Sequence, residues 1–430
     1  MKKLFLLLLI ILSYPTYSSN LLGGEITCRN INGLMYETTL TIYRDTMLSN
    51  FPINYTITYC DSVDTVIATH IISIPAIVPY YNNGLTAYNY IDTIIFPFTG
   101  TFKVYSSEFQ RGSVNNIANA TSYSMYIDCM IFADGINSTP RFYAEPIILA
   151  QNNKPFTYNV TPYDTERDSL SWEFSIPEDA TIDSLTGAFT VTQLPYTNPP
   201  ADTTSPFTID SLNGDINFIP NLVGNYQMKV KIKEWRNGVL IGYVTRDMFL
   251  KVVQSNNIIP FSNSTTIPST TSINWNQGTH TPTFNLFVPQ LLTIVFDTED
   301  SHAIAGPDVK CYGSALVNTS ASTMSIGGSM PTFMTVYFYF PASSISLSQY
   351  PQFVTFRVED DYGPMVYFND FTFRIFVSPH ITSVNEINNE TKSVFLKSID
   401  MLGRETDPNL PGFRIDLYSD GKTKKVFRGE

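Results

Sequence analysis

Between Tyr226 and Lys233 the chain alternates without a break: Tyr226, Met228, Val230 and Ile232 are apolar, and Gln227, Lys229, Lys231 and Lys233 between them are polar. A period of two puts the two sets on opposite faces of a strand, whereas a helix would scatter them around its circumference. The Asn237-Gly238 pair that follows suits a type I′ turn, whose central residues both need positive φ, and Val239 to Val244 supplies the returning strand. The expectation is a hairpin with Gln227 and the three lysines on its wet face. Alternation recurs at Tyr36 to Tyr43, Tyr123 to Asp128, Val354 to Val358 and Phe371 to Val377, the last two joined across Glu359 to Gly363. Aromatic residues reach 14% and charged residues only 15%, and stretches of Ala, Leu, Glu and Lys that would build helices are almost absent. The predicted class is all-β.

The N-terminus has a positive start, Met1-Lys-Lys3, an unbroken apolar run from Leu4 to Leu12 and small residues at Thr16-Tyr-Ser18. Together these predict a signal peptide over residues 1–18. The run falls far short of the roughly 20 residues that span a bilayer, and no later segment is long and apolar enough. The mature chain is therefore expected to be exported without a transmembrane span. Its length of about 400 residues corresponds to about two to four domains. An N-terminal β domain is expected over 19–140, a β-sandwich over 141–254, and a Ser/Thr/Asn/Pro-rich linker over 255–271. A second sandwich over 272–379 and a linker with a small β module over 380–430 complete the chain.

Net charge is −12, and the Lys and Arg residues, 26 in all, form no stripe that would neutralise phosphates. This argues against a nucleic-acid partner. None of Cys28, Cys60, Cys129 and Cys311 stands in a Cys-x-x-Cys or beside a histidine, which argues against zinc. Export leads through an oxidising compartment, so one disulfide within the first domain is expected. Cys28, Cys60 and Cys129 are its candidates, and spacing leaves the connectivity open. No Gly-x-Ser-x-Gly, His-Glu-x-x-His or phosphate loop occurs, Gly327-Gly-Ser329 reads as a turn, and His70, His280, His302 and His380 are scattered. The chain is read as non-enzymatic, with a carboxylate pair of a glycoside hydrolase as the remaining catalytic alternative.

Carboxylates gather at Asp164-Thr-Glu166-Arg-Asp168, Asp297-Thr-Glu299-Asp300 and Glu359-Asp360-Asp361. Calcium needs 6 to 8 hard oxygen ligands, and acidic residues where strand meets loop supply them. Asp164, Glu166 and Asp168 are the candidate calcium ligands, against a solvated acidic turn compensated by Arg167. Tyr80, Tyr81, Tyr88 and Tyr90 flank Asn82-Asn83-Gly84. Exposed, they would form a platform for stacking on sugar rings; the alternative is a place in the core. Trp172 and Trp235 are expected between the sheets of the second domain.

The C-terminus carries Asp400, Leu402-Gly403-Arg404, Arg414-Ile-Asp-Leu-Tyr418, Asp420-Gly421 and Lys424-Lys425. The Asp-Gly pair between an alternating strand and a basic strand is a hairpin signal. The combination resembles the C-terminal sorting domain of cargo of the type nine secretion system of Bacteroidetes. By that resemblance, Gly403, Arg404, Tyr418, Asp420, Gly421, Lys424 and Lys425 form the sorting signal, and the secretion machinery is a partner. Gly23-Gly-Glu-Ile-Thr27-Cys28 with Tyr43-Arg-Asp45 resembles the start of Bacteroidetes surface proteins, although Thr46 stands where those have cysteine. The second and third domains resemble cadherin-like and immunoglobulin-like modules of bacterial surface proteins. Ser169, Ser184, Ser211, Thr65 and Thr93 sit in a pattern that resembles the O-glycosylation acceptor of exported Bacteroidetes proteins. The resulting expectation is an adhesin-like or structural protein at the outer cell surface or outside the cell, meeting polysaccharide or other surface proteins. A glycan-binding module of a polysaccharide-utilisation system is the alternative.

Overall fold

The computed structural model describes residues 21–45, 54–73, 75–80, 85–108, 111–182, 189–255, 261–265, 283–299, 308–318, 322–327, 333–347, 350–360, 367–379, 395–400, 404–418 and 423–428. Nearly all regular structure is strand, and α1, Ser314–Asn318, is the one α-helix among the described residues. The predicted signal peptide lies outside them.

The first domain is built from β1 (Leu21–Asn32), β2 (Met35–Asp45), β3 (Tyr55–Asp61), β4 (Val66–Ile72), β5 (Ala76–Tyr80), β6 (Leu85–Ile95), β7 (Gly100–Glu108) and β8 (Met125–Ala133). One antiparallel row runs β1-β2-β6-β5 and the other β8-β7-β3-β4. Strand alternation supplies the core between them. In β2, Tyr36, Thr38, Leu40 and Ile42 are buried while Glu37, Thr39 and Thr41 are not. Ile26, Leu40, Ile42 and Tyr90 share that core with Tyr59, Phe102, Val104 and Ile127 from the other row, all fully buried.

The second domain comprises β9 (Arg141–Phe142), β10 (Ile147–Gln151), β11 (Phe156–Asn159), β12 (Pro162–Tyr163), β13 (Ser169–Ser175), β14 (Glu178–Ile182), β15 (Phe189–Gln193), β16 (Thr208–Ile209), β17 (Asp215–Phe218), β18 (Gly224–Arg236) and β19 (Val239–Val253). Strands β13, β18, β19 and β10 form one layer, with β10 parallel to β19, and β11, β17 and β16 form another. Tyr158, Trp172, Ile216, Tyr226, Met228, Val230 and Ile232 fill the space between them. Asn237 and Gly238 have φ of 53° and 76°, as the I′ turn requires. Trp235, by contrast, is only half-buried and donates to Ser171 Oγ at 2.8 Å.

Strand β19 belongs to both domains. One edge pairs with β18 along its length, and the other meets β8 at Gly242–Val244, β1 at Arg246–Asp247 and β10 from Phe249 to Val253. This corrects the expectation of a wet face on β18. Gln227 and Lys229 are buried, and Lys229 Nζ donates to Glu178 Oε2 at 2.7 Å and to the Tyr126 carbonyl at 3.0 Å, because the first domain covers that end of the strand. Only Lys231 and Lys233 keep access to water.

The third domain holds β20 (Phe261–Thr265), β21 (Thr283–Phe287), β22 (Leu291–Glu299), β23 (Asp308–Tyr312), β24 (Thr323–Gly327), β25 (Phe333–Pro341), β26 (Gln352–Glu359) and β27 (Phe368–Ser378). Sheets β20-β22-β25-β24 and β21-β27-β26-β23 enclose Ile294, Phe296, Phe338, Val354, Phe356 and Phe373. Strand β20 corrects part of the expected linker over 255–271: it is an edge strand on β22, held by backbone pairing that its polar sequence does not advertise. Domains two and three interlock within one compact unit that ends at Ser378. Phe368 enters the second domain's core, and Arg357 is bidentate to Asp370, whose Oδ2 also accepts the Asn159 N–H at 2.8 Å. The second unit, Pro379–Glu430, holds β28 (Phe395–Ile399), β29 (Glu405–Thr406), β30 (Gly412–Tyr418) and β31 (Thr423–Arg428) in the order β29-β28-β30-β31. The antiparallel β30–β31 pair is the hairpin expected there.

Close approach of β1 to β19 depends on Gly23, where a Cβ would stand 2.4 Å from the Asp247 carbonyl oxygen. Gly23→Ala is expected to destabilise the fold by about 1–3 kcal/mol or more through overpacking. Gly33→Ala, with φ +52° but open space around its Cβ, should cost only about 1–2 kcal/mol of backbone strain. Denaturant unfolding of both variants checks the order.

Candidate metal centre

The loop between β12 and β13 carries Asp164, Glu166 and Asp168, the predicted calcium ligands. It packs against the loop after β8 and against the far end of β18. Glu234 joins them from β18. One carboxylate oxygen from each of Asp164, Asp168 and Glu234 lies within 4.8 Å of the others. At such separations two like charges repel by about 3 kcal/mol even at an effective dielectric near 20.

Each carboxylate is held differently. Asp164, 5% exposed, accepts the Asp168 N–H on Oδ1 at 2.6 Å, and its Oδ2 finds no donor in the protein. Burial pushes its pKa up to about 7, with Glu166 and Asp168 adding to the shift. Glu234, 0% exposed, receives one long contact of 3.4 Å from Asn137 Nδ2, and its Oε1 finds none. Burial first, then the charges of Asp164 and Asp168, push it up to about 10. Glu166 accepts from the Ser138 N–H at 3.2 Å and the Ser138 hydroxyl at 3.1 Å, and burial raises its pKa against these bonds. Asp168 is paired: Arg236 Nη2 donates to its Oδ2 at 2.6 Å and Nε reaches both oxygens. Arg236 also reaches Asp134 Oδ2 at 2.9 Å. Burial of Asp134 is outweighed by the N–H groups of Asn137 and Ile136 and by Arg236, which hold its pKa below the usual range.

Two buried carboxylates of the cluster thus each keep one oxygen that no donor in the protein reaches. They require either protons or a cation. The donor set is all oxygen, with no cysteine or histidine in the cluster, which suits calcium and not a soft transition metal. A cavity of about 100 Å³, lined by Asp164, Arg167, Asp168, Tyr350 and Arg374 among others, adjoins the cluster.

Glu234 was missed in the sequence, although a signal for it existed. It continues the even-numbered stripe of Tyr226, Met228, Val230 and Ile232, so its carboxylate enters the core face of β18. A register shift between Glu234 and Trp235 ends that regularity, and Glu234 Oε2 lies 2.6 Å from the point a Cβ on the facing Gly242 would occupy. The other carboxylate runs form no such cluster among the described residues. Asp297 accepts from Thr335 Oγ1 at 2.8 Å and Glu359 pairs with Lys310 at 2.7 Å, while Asp300 and Asp361 lie outside those residues.

The tyrosine platform is corrected. Alternation along β6 turns Tyr88 and Tyr90 into the first domain's core, at 5% and 0% exposure, and Tyr90 packs on Tyr55 with ring centroids 4.2 Å apart. The Tyr80 side chain and Tyr81 lie outside the described residues. Of the disulfide candidates, Cys28 and Cys129 come together with their sulfurs 3.7 Å apart, and Cys60 is buried elsewhere beside Tyr105 and Tyr126. In the C-terminal unit Arg404 pairs with Asp400 at 2.8 Å, and Tyr418 stands across from Phe395. Lys424 and Lys425 face Asp416 and Ile415 across β30. Gly403, Asp420 and Gly421 lie outside the described residues.

Tyr90→Ala is expected to cost about 3–5 kcal/mol of stability, the range for emptying a large core site, where an exposed stacking residue would cost almost nothing. The raised carboxylates set a pH dependence. In chelator the folded state holds more protons than the unfolded chain, so the stability from Glu234 and Asp164 is fully present below the ordinary carboxylate range. It is lost as pH rises through about 7 and then about 10. Melting in chelator should therefore show Tm falling from about pH 5 to about pH 9, and Glu234→Gln, which keeps a neutral side chain throughout, should flatten that fall.

No family model matches the chain, and no curated protein matches it. Among solved structures it is similar to the I-band fragment I67-I69 from titin, with 8% identity over 83% of this chain and 98% of that chain and a TM-score of 0.17. It is also similar to Rst D1-D2, with 10% identity over 56% of this chain and 100% of that chain and a TM-score of 0.18. The zebrafish RET cadherin-like domains 1 to 4 show 9% identity over 96% of this chain and 90% of that chain, with a TM-score of 0.17. The fold assignment rests on the chain's own sheets: it is an all-β array of tandem sandwich domains with a small four-stranded β module at its C-terminus.

Proposed function

We propose that this chain is an exported, non-enzymatic display protein, adhesin-like or structural, in whose second domain a calcium ion held by Asp164, Asp168 and Glu234 braces the loop after β12, which reaches the first domain where Glu166 meets Ser138. The observation that carries the reading is the pair of buried carboxylate oxygens, Asp164 Oδ2 and Glu234 Oε1, that no protein donor reaches. A divalent cation would neutralise them and tie the loop after β12 to β18. Backbone carbonyls and water would complete the shell of 6 to 8 oxygens. Delivery by the type nine route and cadherin-like or immunoglobulin-like ancestry are supported by the sequence motifs at the two ends of the chain and by its sandwich repeats.

Melting of the full chain in calcium and in chelator tests the brace. Calcium at about 100-fold above its Kd should add about 2.7 kcal/mol to the folded state. Glu234→Gln should abolish that gain without lowering Tm in chelator, because the amide replaces a carboxyl that burial already holds neutral there. A Tm indifferent to calcium would remove the metal from the proposal. Saturable binding of the labelled chain to intact cells, weaker in chelator, is the result expected of an adhesin. Binding in neither condition would favour a structural component, and turnover of a polysaccharide would overturn the non-enzymatic reading.

A further inference from the structure

The first domain contains two thiols that the metal centre does not use. Cys28 on β1 and Cys129 on β8 are fully buried in one core, their sulfurs 3.7 Å apart. Cys28 Sγ also lies 3.5 Å from Thr38 Oγ1. Closing to a bonded distance of about 2.05 Å takes a movement of under about 2 Å shared by two side chains, so the strands need not separate or shift register. Cys60 sits in a different cluster and Cys311 in the third domain, so neither competes for either sulfur.

We infer that Cys28 and Cys129 form a disulfide that staples the two rows of the first domain together, made while the chain folds in an oxidising compartment. The pairing rests on the geometry alone, and the compartment rests on the exported reading above. In the reaction, one thiolate attacks a carrier disulfide, of glutathione or of a thiol–disulfide oxidoreductase, and releases one carrier thiolate. The second cysteine, its proton lost to solvent, displaces the other carrier sulfur. Two electrons and two protons leave the cysteine pair, and the carrier disulfide becomes two thiols.

Timing follows from burial. The sulfurs are inaccessible in the folded domain, and burial raises the Cys129 thiol well above its ordinary value, so little attacking thiolate would form there. Oxidation therefore belongs to the folding chain, before the core closes. The staple spans a sequence separation of 101 residues, and all of them precede β19. It would hold together β1 and β8, the strands that meet adjacent stretches of the same β19 edge at Arg246–Asp247 and Gly242–Val244. The docking edge would then be preset before β19 arrives.

The test is peptide mapping of the full chain. The protein is refolded from denaturant in reduced and oxidised glutathione, free thiols are alkylated under denaturing conditions, and the digest is analysed without reductant. A linked peptide pair containing Cys28 and Cys129, with Cys60 and Cys311 alkylated, is the expected result. Alkylation of all four cysteines, or a link through Cys60, would overturn the pairing. Refolding in excess reductant should lower the wild-type Tm by about 10 °C for a loop of this size, and the C28V/C129V double variant should show no response to reductant. The same mapping on chain recovered from its native cells separates the two parts: a link formed on refolding but absent there would overturn the oxidising compartment and leave the geometry standing.

Discussion

A strand has two hydrogen-bonding edges, and β19 spends one on β18 while dividing the other among β8, β1 and β10. The first two domains are therefore joined by a continuous ladder rather than by a linker, and neither can close its sheet without the other. This also explains the length of the hairpin. Fifteen residues of β19 are needed because the strand must pass along the first domain before it reaches the second. Rigid coupling follows from backbone pairing, and the side chains must then fit what the ladder brings together.

What it brings together is charge. Arg246 and Asp247, at the β1 crossing, are fully buried and pair with Glu25 and Arg111. Lys229 on the neighbouring strand pairs with Glu178. Gln227 donates to Asp247 as well, so that carboxylate meets partners from two directions. Removing one member of a pair buried this deeply costs about 3–5 kcal/mol, because the other is left uncompensated, whereas an apolar replacement of both would cost little. Such pairs add little net stability but fix register. A slip of one residue along β19 would bury unpartnered ions. The joint between the second and third domains follows the same logic, with Arg357 held between Asp370 and Glu145 and stacked 3.9 Å from the Phe368 ring.

Periodicity made the all-β class, the β18–β19 hairpin and the C-terminal hairpin legible in the sequence. It failed where a second domain, rather than water, covers the polar face. Lys229 has the same alternating context as Lys231 and Lys233, and only tertiary packing distinguishes the buried residue from the wetter ones. Tyr88 and Tyr90 were ambiguous for a related reason: an aromatic pair at a spacing of two fits one face of a strand, and sequence does not say whether that face is inner or outer. Strand β20 was hidden because an edge strand needs only backbone pairing, and Ser262, Ser264 and Thr265 look like linker. Half of the carboxylate cluster and its partners was visible as Asp164-Thr-Glu166-Arg-Asp168, since local spacing gathers those residues. Glu234, Asp134 and Asn137 come from distant segments, and only the fold brings them to the loop.

The position of Glu234 bears on why such a cluster persists. An acid on the core stripe of β18 is costly as an anion, and an apolar residue there would serve packing alone at less expense of stability. Arg236 reaches it by charge alone. That guanidinium is committed to Asp168, Asp134 and Asn137 and makes no hydrogen bond to Glu234 or Asp164 among the described residues. The two inner carboxylates are thus left without a hydrogen bond from that guanidinium. Protons satisfy them one at a time and only within the pH range that burial allows, whereas a doubly charged ion satisfies both at once and bonds the loop after β12 to the strand it lies against. A cation there would therefore do what protons would not: it would fix that loop onto the hairpin that joins the two domains, and, through the hydrogen bonds of Ser138 to Glu166, the segment that leaves β8 as well.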